Sequence, residues 1–504
     1  MATLPIIQGF TTQKNPGFYG ETVYGSGSTG SGAAPLRVLL IGLMAVGGTL
    51  TANGAPVQVV DDNQVDTVAG AGSELATMGY GATQMQGAEI YLASPAAPGS
   101  GAAASATLTI TGTWSTTGIY RYRIGKERRE VTIAAGMTPT QAAAAIVADA
   151  LSRVRMPVTA ANTAGVLTFT HRTLSVSGNY QPIRQDLSDA PAGFAATLAG
   201  ATTLTNASGG VFMSGGTGVP DLTTLLGTIS PTAFDRIVLA AQDATALAAV
   251  RTAVTSQAGP TVGFLQHVIT ASTGLLSTAQ GITRTTLNDQ RFEHLWALNH
   301  PSHPAVLAAV HGAQRASIES TSPLFNYDNA ELPGVGAQNI ADAPSFGTIT
   351  TCLDNGVTPL KPTTDGRTLV VRAITTHCLT SGGSPDYSCL DVSDAWIPDF
   401  VRRGLRALWE GSFQRNNTSV GPDDPTGAPP PPGMATPRAW NAAVTSFLKG
   451  LERGDNLPGP ILIEVDQHLP QSFYDKVNRR IVTIVNVVPA AVQHQIGVSV
   501  RSAA

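Results

Sequence analysis

The chain has 504 residues, beyond the roughly 250–300 at which a single hydrophobic core stops growing, so at least two domains are expected. Only 13% of the residues are charged, and 30 Lys and Arg against 34 Asp and Glu leave a formal charge of −4, which excludes the strongly basic classes that bind nucleic acid or anionic membrane. So sparse a surface charge suits a protein that covers its exterior with copies of itself, and a composition rich in small residues gives the same signature.

Residues 1–34 have no hydrophobic period and carry isolated apolar anchors at Ile6, Ile7, Phe10, Phe18, Tyr19, Val23 and Tyr24, the pattern of an extended arm. Met1–Phe10 lacks the basic start and apolar run of a secretory signal, so assembly in the cytoplasm is expected. The run Val38–Leu50 is shorter than the about 20 residues a membrane helix needs, and PLRVLLIG at Pro35–Gly42 reads as a fully buried strand. A short helix starts near Gly72–Met78, and Glu89–Leu92 supplies a second strand.

From about Ala103 the sequence turns Thr-rich, with strands expected at Thr107–Thr111, Ile119–Ile124, Arg129–Ile133, Val158–Ala160 and Gly165–Thr170. Thr138, Pro139 and Gln141 form a capping box ahead of an Ala-rich helix. Residues 101–218 therefore read as a β-rich insert in the first domain. After Gly218 the segments Asp221–Leu226, Phe234–Ala240, Ala244–Ser256, Gly263–Thr270, Arg291–Asn299 and Ala305–Ser317 alternate helix and strand, which implies a mainly parallel or mixed sheet covered by helices.

Past Ala330 come strands at Thr358–Leu360 and Leu369–Thr375 and a helix at Val392–Trp409, whose Ile397, Val401, Leu405 and Leu408 share a stripe while Arg402, Arg403 and Arg406 project elsewhere. The Pro-rich Gly421–Gly433 is a surface loop, and Thr436 and Pro437 open a further helix through Leu451. Arg480–Val488 is apolar. Beyond Pro489, Val492, Ile496, Val498 and Val500 share one parity, a strand with one buried face that either closes its own sheet or adds to the open edge of another copy.

The expected fold is α/β in its core and α+β overall. It divides into an arm and hinge at 1–34, a core domain at 35–100 plus 219–345, the insert at 101–218, a C-terminal domain at 346–487 and a donated-strand arm at 488–504.

Signatures of chemistry are sparse. Gly25, Gly27 and Gly30 satisfy G-x-G-x-x-G but precede a strand, where a dinucleotide fingerprint follows one, so they read as linker. His294, His300, His303 and His311 cluster without a metal-site spacing and read as loop and capping histidines. No nucleophile elbow, zinc-protease motif or Walker-type lysine occurs, so no enzyme activity, cofactor or metal is expected. Cys352, Cys378 and Cys389 match no metal module and read as buried thiols, an intersubunit disulfide being the alternative. Asn206 and Asn416 begin sequons that matter only on a secretory route.

Three stretches resemble the tail sheath proteins of contractile-tailed bacteriophages, the Mu-like group in particular: PGFYGETVYGSGSTGSGAAPLRVLLIGLM at Pro16–Met44 with GSELATM at Gly72–Met78; ELPGVGAQNIADAPSFG at Glu331–Gly347; and NGVTPLKPTTDGRTLVVRAITTH at Asn355–His377 continuing to DYSCLDVSDAWIPDFVRRGLRA at Asp386–Ala407. The Pro-rich loop departs from the pattern in its length. The resemblance implies a structural subunit that stacks as hexameric rings around a tail tube and contracts from a metastable extended lattice. Its partners would be copies of itself, the tube protein, the baseplate and the terminator or neck proteins, without nucleic acid or membrane insertion, in a virion assembled in host cytoplasm. It also implies strand exchange through Phe18, Tyr19, Val23, Tyr24, Val492, Ile496, Val498 and Val500, a flexible hinge at Gly25–Ala34, and a tube-facing role for Arg402, Arg403 and Arg406, for which solvated surface arginines are the alternative. A headless contractile device, an α/β enzyme with an accessory β-domain and a surface adhesin are the competing readings.

Overall fold

The computed structural model describes residues 35–125, 127–201, 210–259, 262–413, 419–455 and 457–490. The chain enters through β1 (Leu36–Ile41), whose only partly exposed residue is Arg37, as befits a strand covered on both faces. After β2 (Val57–Val59) and α1 (Asp62–Val65), Ser73 caps α2 (Glu74–Ala82) by accepting from the Ala76 amide, and β3 (Ala88–Ala93) returns beside β1.

The insert comprises β4 (Ala103–Gly112), β5 (Gly118–Ile124), β6 (Glu127–Ile133), α3 (Pro139–Leu151), β7 (Val158–Thr163), β8 (Val166–Leu174), β9 (Pro182–Asp186), β10 (Phe194–Ala199) and β11 (Gly210–Phe212). They form two four-stranded antiparallel sheets, β10-β4-β8-β7 and β11-β9-β5-β6. Alternation does the sorting: along β5, Tyr120, Tyr122 and Ile124 enter the insert's own core while Arg121 and Arg123 face outward. The capping box on α3 is complete, with Gln141 N donating to Thr138 and Thr138 N donating to the Gln141 side chain at 2.8 Å. A bridge between Ala102 and Thr217 closes the neck.

Beyond the neck follow α4 (Thr223–Ile229), β12 (Arg236–Leu239), α5 (Ala244–Gln257), β13 (His267–Ser272), α6 (Leu276–Gly281), β14 (Phe292–Trp296), α7 (Pro304–Glu319), α8 (Phe346–Asp354), β15 (Thr358–Pro362), β16 (Thr368–Val370) and α9 (Val392–Leu408). The strands join one eight-stranded mixed sheet in the order β16-β15-β14-β13-β12-β1-β3-β2, parallel from β15 to β3 and antiparallel at both edges. Helices α2, α7 and α9 bury one face of it, and α4 and α5 the other.

The sheet crosses the expected boundary at 345/346, because β15 and β16 extend it, and one hydrophobic cluster reaches from Leu36 to Val487. The strand expected at Leu369–Thr375 is shorter than its apolar text. Past Val370, Arg372 makes two 2.8 Å bonds to Asp391, which draws the chain off the sheet toward the start of α9.

The remaining elements are a bridge between β17 (Ser419–Val420) and β18 (Met434–Ala435), α10 (Pro437–Arg453), β19 (Leu462–Ile463), β20 (Gln471–Asp475), β21 (Arg480–Ile484) and β22 (Val488–Pro489). Most of the Pro-rich stretch between β17 and β18 is exposed.

Candidate inter-subunit site

The residues expected to exchange strands, Phe18, Tyr19, Val23, Tyr24, Val492, Ile496, Val498 and Val500, lie outside the described residues, as does the hinge up to Ala34. The structure does describe what they attach to. Residues 1–34 precede β1, in the middle of the large sheet, and residues 491–504 follow β22, which pairs antiparallel with β19.

Between β19 and β22 stands the hairpin β20–β21, in register from Gln471 opposite Ile484 to Asp475 opposite Arg480. The Asp475 carboxylate builds its turn, accepting from the amides of Val477 and Asn478 at 3.1 and 3.2 Å, from the Asn478 side chain at 2.8 Å and from Arg480 Nε at 2.8 Å. The Asn478 bonds and the Arg480 charge hold that carboxyl below its usual range. The hydroxyl of Ser472, 2.6 Å from Asn441 Oδ1, ties the hairpin to α10, and Val477 at its tip is 89% exposed. A two-stranded sheet is marginal alone. Among the described residues the outer edges of β20 and β21 pair with no strand, so both offer main-chain donors and acceptors to an incoming one.

Helix α9 departs from expectation in its arginines. Ile397, Val401 and Leu405 are buried as the stripe requires, but Arg402 is buried too, donating to the carbonyls of Ala258 and Gly259 at 2.9 and 3.2 Å. Arg403 reaches the Asp235 carboxylate and the Leu265 carbonyl. Its guanidinium lies 5.0 Å from the ring centroid of buried Trp396, and that of Arg236 lies 4.0 Å from the same ring. Only Arg406 keeps an outward position, half exposed and 2.8 Å from Glu410 one turn on. The expected exposed arginine face is thus corrected for Arg402 and Arg403. The acceptors that turn these side chains inward belong to the end of α5 and the approaches to β12 and β13.

Beneath α9 a chain of buried ions knits strands to helices. Asp399 pairs with Arg291, one contact being 3.1 Å, and with His267 Nε2 at 3.0 Å. Burial pushes the Asp399 carboxyl up, but Arg291 and His267 outweigh this and hold it well below the carboxylate range. On α7, Arg315 bonds Glu293 at 2.7 Å and Glu319 at 2.8 Å, and His311 bonds Glu293 at 3.0 Å. Against the effect of burial, His311 and Arg315 bring Glu293 down to about 2. Such pairs add little net stability but cost heavily when one partner is removed.

The four clustered histidines divide. His300 and His303 cap, accepting from the Ser302 and Ala305 amides at 3.0 and 3.2 Å. His294 instead sits in β14, 2.7 Å from Thr270 Oγ1 and 2.9 Å from Ser272 Oγ, and His311 sits within α7. Among the described residues no group of three or more His, Cys, Asp or Glu is arranged to hold a metal ion. Cys352, Cys378 and Cys389 are free and buried, and burial pushes the Cys352 and Cys389 thiols up to about 12. No helix is long and apolar enough to cross a membrane among the described residues.

The solved structures to which the chain is similar include sheath proteins. A sheath tail protein from Desulfitobacterium hafniense aligns at 11% identity over 93% of this chain and 96% of its own, with a TM-score of 0.49. One from Listeria innocua aligns at 13% identity over 92% and 93%, also with a TM-score of 0.49. The helical sheath of the anti-feeding prophage in its contracted state aligns at 10% identity over 97% and 99%, with a TM-score of 0.46. No family model and no curated protein matches the sequence. At such identities and scores, the functional reading rests on the chain's own residues.

Proposed function

We propose that the chain is the sheath subunit of a contractile bacteriophage tail, polymerising as stacked hexameric rings around a tail tube and carrying no catalytic site. The observation that carries this reading is the set of three sequence stretches resembling contractile sheath proteins. Their described parts fall on connected pieces of one body: central strand β1, helix α2, the 331–347 segment, the β15–β16 edge and helix α9.

Polymerisation follows from unequal ends. The hairpin β20–β21 offers open edges, and the two undescribed arms supply segments of strand length, so each subunit both gives and accepts strands. A head-to-tail contact of this kind does not close on itself and produces open helical assemblies. Contraction is then a rigid-body rearrangement in which the arms keep neighbours joined while subunits slide. Arg406 is the arginine of α9 left for the tube surface; baseplate and terminator proteins would cap the polymer.

Deletion of Val492–Ala504 tests the exchange. Sedimentation should show a folded subunit, with an unchanged circular-dichroism spectrum, that no longer polymerises; tubes formed by the truncated protein would remove the C-terminal arm from the account.

A further inference from the structure

On the outward face of the insert sheet β11-β9-β5-β6, two arginines oppose each other with no carboxylate in ion-pair contact among the described residues. The β5–β9 register sets Arg123 opposite Arg184, and residues so placed project from the same face within reach of one another. Two residues along the same strand the face is balanced: Arg121 has Glu130 at 2.7 Å and Asp189 in contact, and it stands opposite Asp186. For Arg123 and Arg184 that balance is missing. The Nε of each is buried without a hydrogen-bond acceptor, and among the described residues neither forms an ion pair.

The surroundings add positive charge. Burial lowers both guanidinium pKa values, Arg128 adds to this at Arg123 and Arg123 adds to it at Arg184, while the acid Asp342 acts on Arg184 in the opposite sense. One Asp342 oxygen already accepts from the Asn299 side chain at 2.9 Å, and Arg184 donates to the Asn299 carbonyl. Across the seam, a Cβ at Gly336 would lie 3.1 Å from a terminal nitrogen of Arg123 and 2.9 Å from Pro301, so glycine there lets the guanidinium lie against the core loop. Gly336 belongs to the 331–347 segment.

Two like charges held together with unmet donors are unfavourable unless an anion joins them, and the planar guanidinium fork matches an oxyanion in shape. We infer that Arg123 and Arg184 form an oxyanion site at the seam between insert and core, which takes a phosphate or carboxylate group between the two guanidinium groups and so fastens the insert. The group comes either from free inorganic phosphate or from an acidic side chain of a second copy.

Inorganic phosphate, titrated into the unassembled full chain at ionic strength matched with chloride, is the probe, read by scanning fluorimetry and by calorimetry. A saturable rise in Tm of ~2–4 °C is expected. Arg123→Gln, which sacrifices no hydrogen bond, should lose the saturable rise while its phosphate-free Tm equals or exceeds the parent's; Arg184→Gln should lose the calorimetric binding. Phosphate that blocks tube formation with the same midpoint identifies a neighbour's carboxylate as the occupant, and phosphate that leaves tubes intact identifies the free anion. A response that never saturates, or that persists unchanged in Arg123→Gln, overturns the site.

Discussion

Trp396 shows how single residues hold α9 in place. Its ring is 1% exposed, has Arg236 and Arg403 against it, and meets His267 edge-on at 5.7 Å between centroids. Trp396→Ala removes a large buried volume and the shared surface of two cations, so a loss of ~3–5 kcal/mol is expected in chemical denaturation. Asp399→Asn leaves Arg291 buried without its counter-charge, for an expected cost of ~3–5 kcal/mol. The two effects should be non-additive, because both act through the contact of α9 with β13.

Histidines set the response to acid. His294 is held down to about 4, and His267 and His300 to about 3, chiefly because burial penalises the imidazolium. Below the ordinary value of 6.5 the unfolded chain takes up protons that the folded one refuses, so stability falls with pH between 6.5 and about 4. Glu293, lowered from 4.5 to about 2, extends the loss at still lower pH: its contribution is complete above 4.5 and disappears as pH falls toward 2. Thermal scans from pH 7.5 to 4 should therefore show Tm decreasing steadily. His294→Gln should flatten part of that slope; a Tm constant over this range would contradict the assignment.

At the level of elements, sequence and structure agree where the signal is local. The Thr138 capping box, the continuous apolar text of β1, the helix beginning at Pro437 and the exposure of the Pro-rich loop were all legible, because each depends on residues within a few positions of one another. Arg402 and Arg403 were misread for the opposite reason. Periodicity separates apolar from polar faces, but an arginine facing the carbonyl of Ala258 or the carboxylate of Asp235 is polar and inward at once, and those partners lie well over a hundred residues away. The β16 strand stopped early for a comparable reason, since the Arg372–Asp391 pair is invisible to any short window. Of the hairpin β20–β21 only the second strand falls in the apolar run Arg480–Val488; β20 at Gln471–Asp475 precedes it, and the turn chemistry resides in Asp475, Asn478 and Arg480. Asp475→Ala should loosen that turn and slow assembly while leaving the Tm of the body within about 1 °C, since the hairpin is a small, peripheral part of the fold.

For the whole molecule, the described residues join the large sheet, the insert with its own core and the hairpin β20–β21 into one connected body. As the proposed sheath subunit, this body acts only in a lattice of its own kind. Electron microscopy of the purified full-length protein, negatively stained over a range of concentrations, tests that claim most directly. Tubes or stacked rings of uniform diameter are the predicted result, and a population that remains monomeric at the highest concentrations would contradict it.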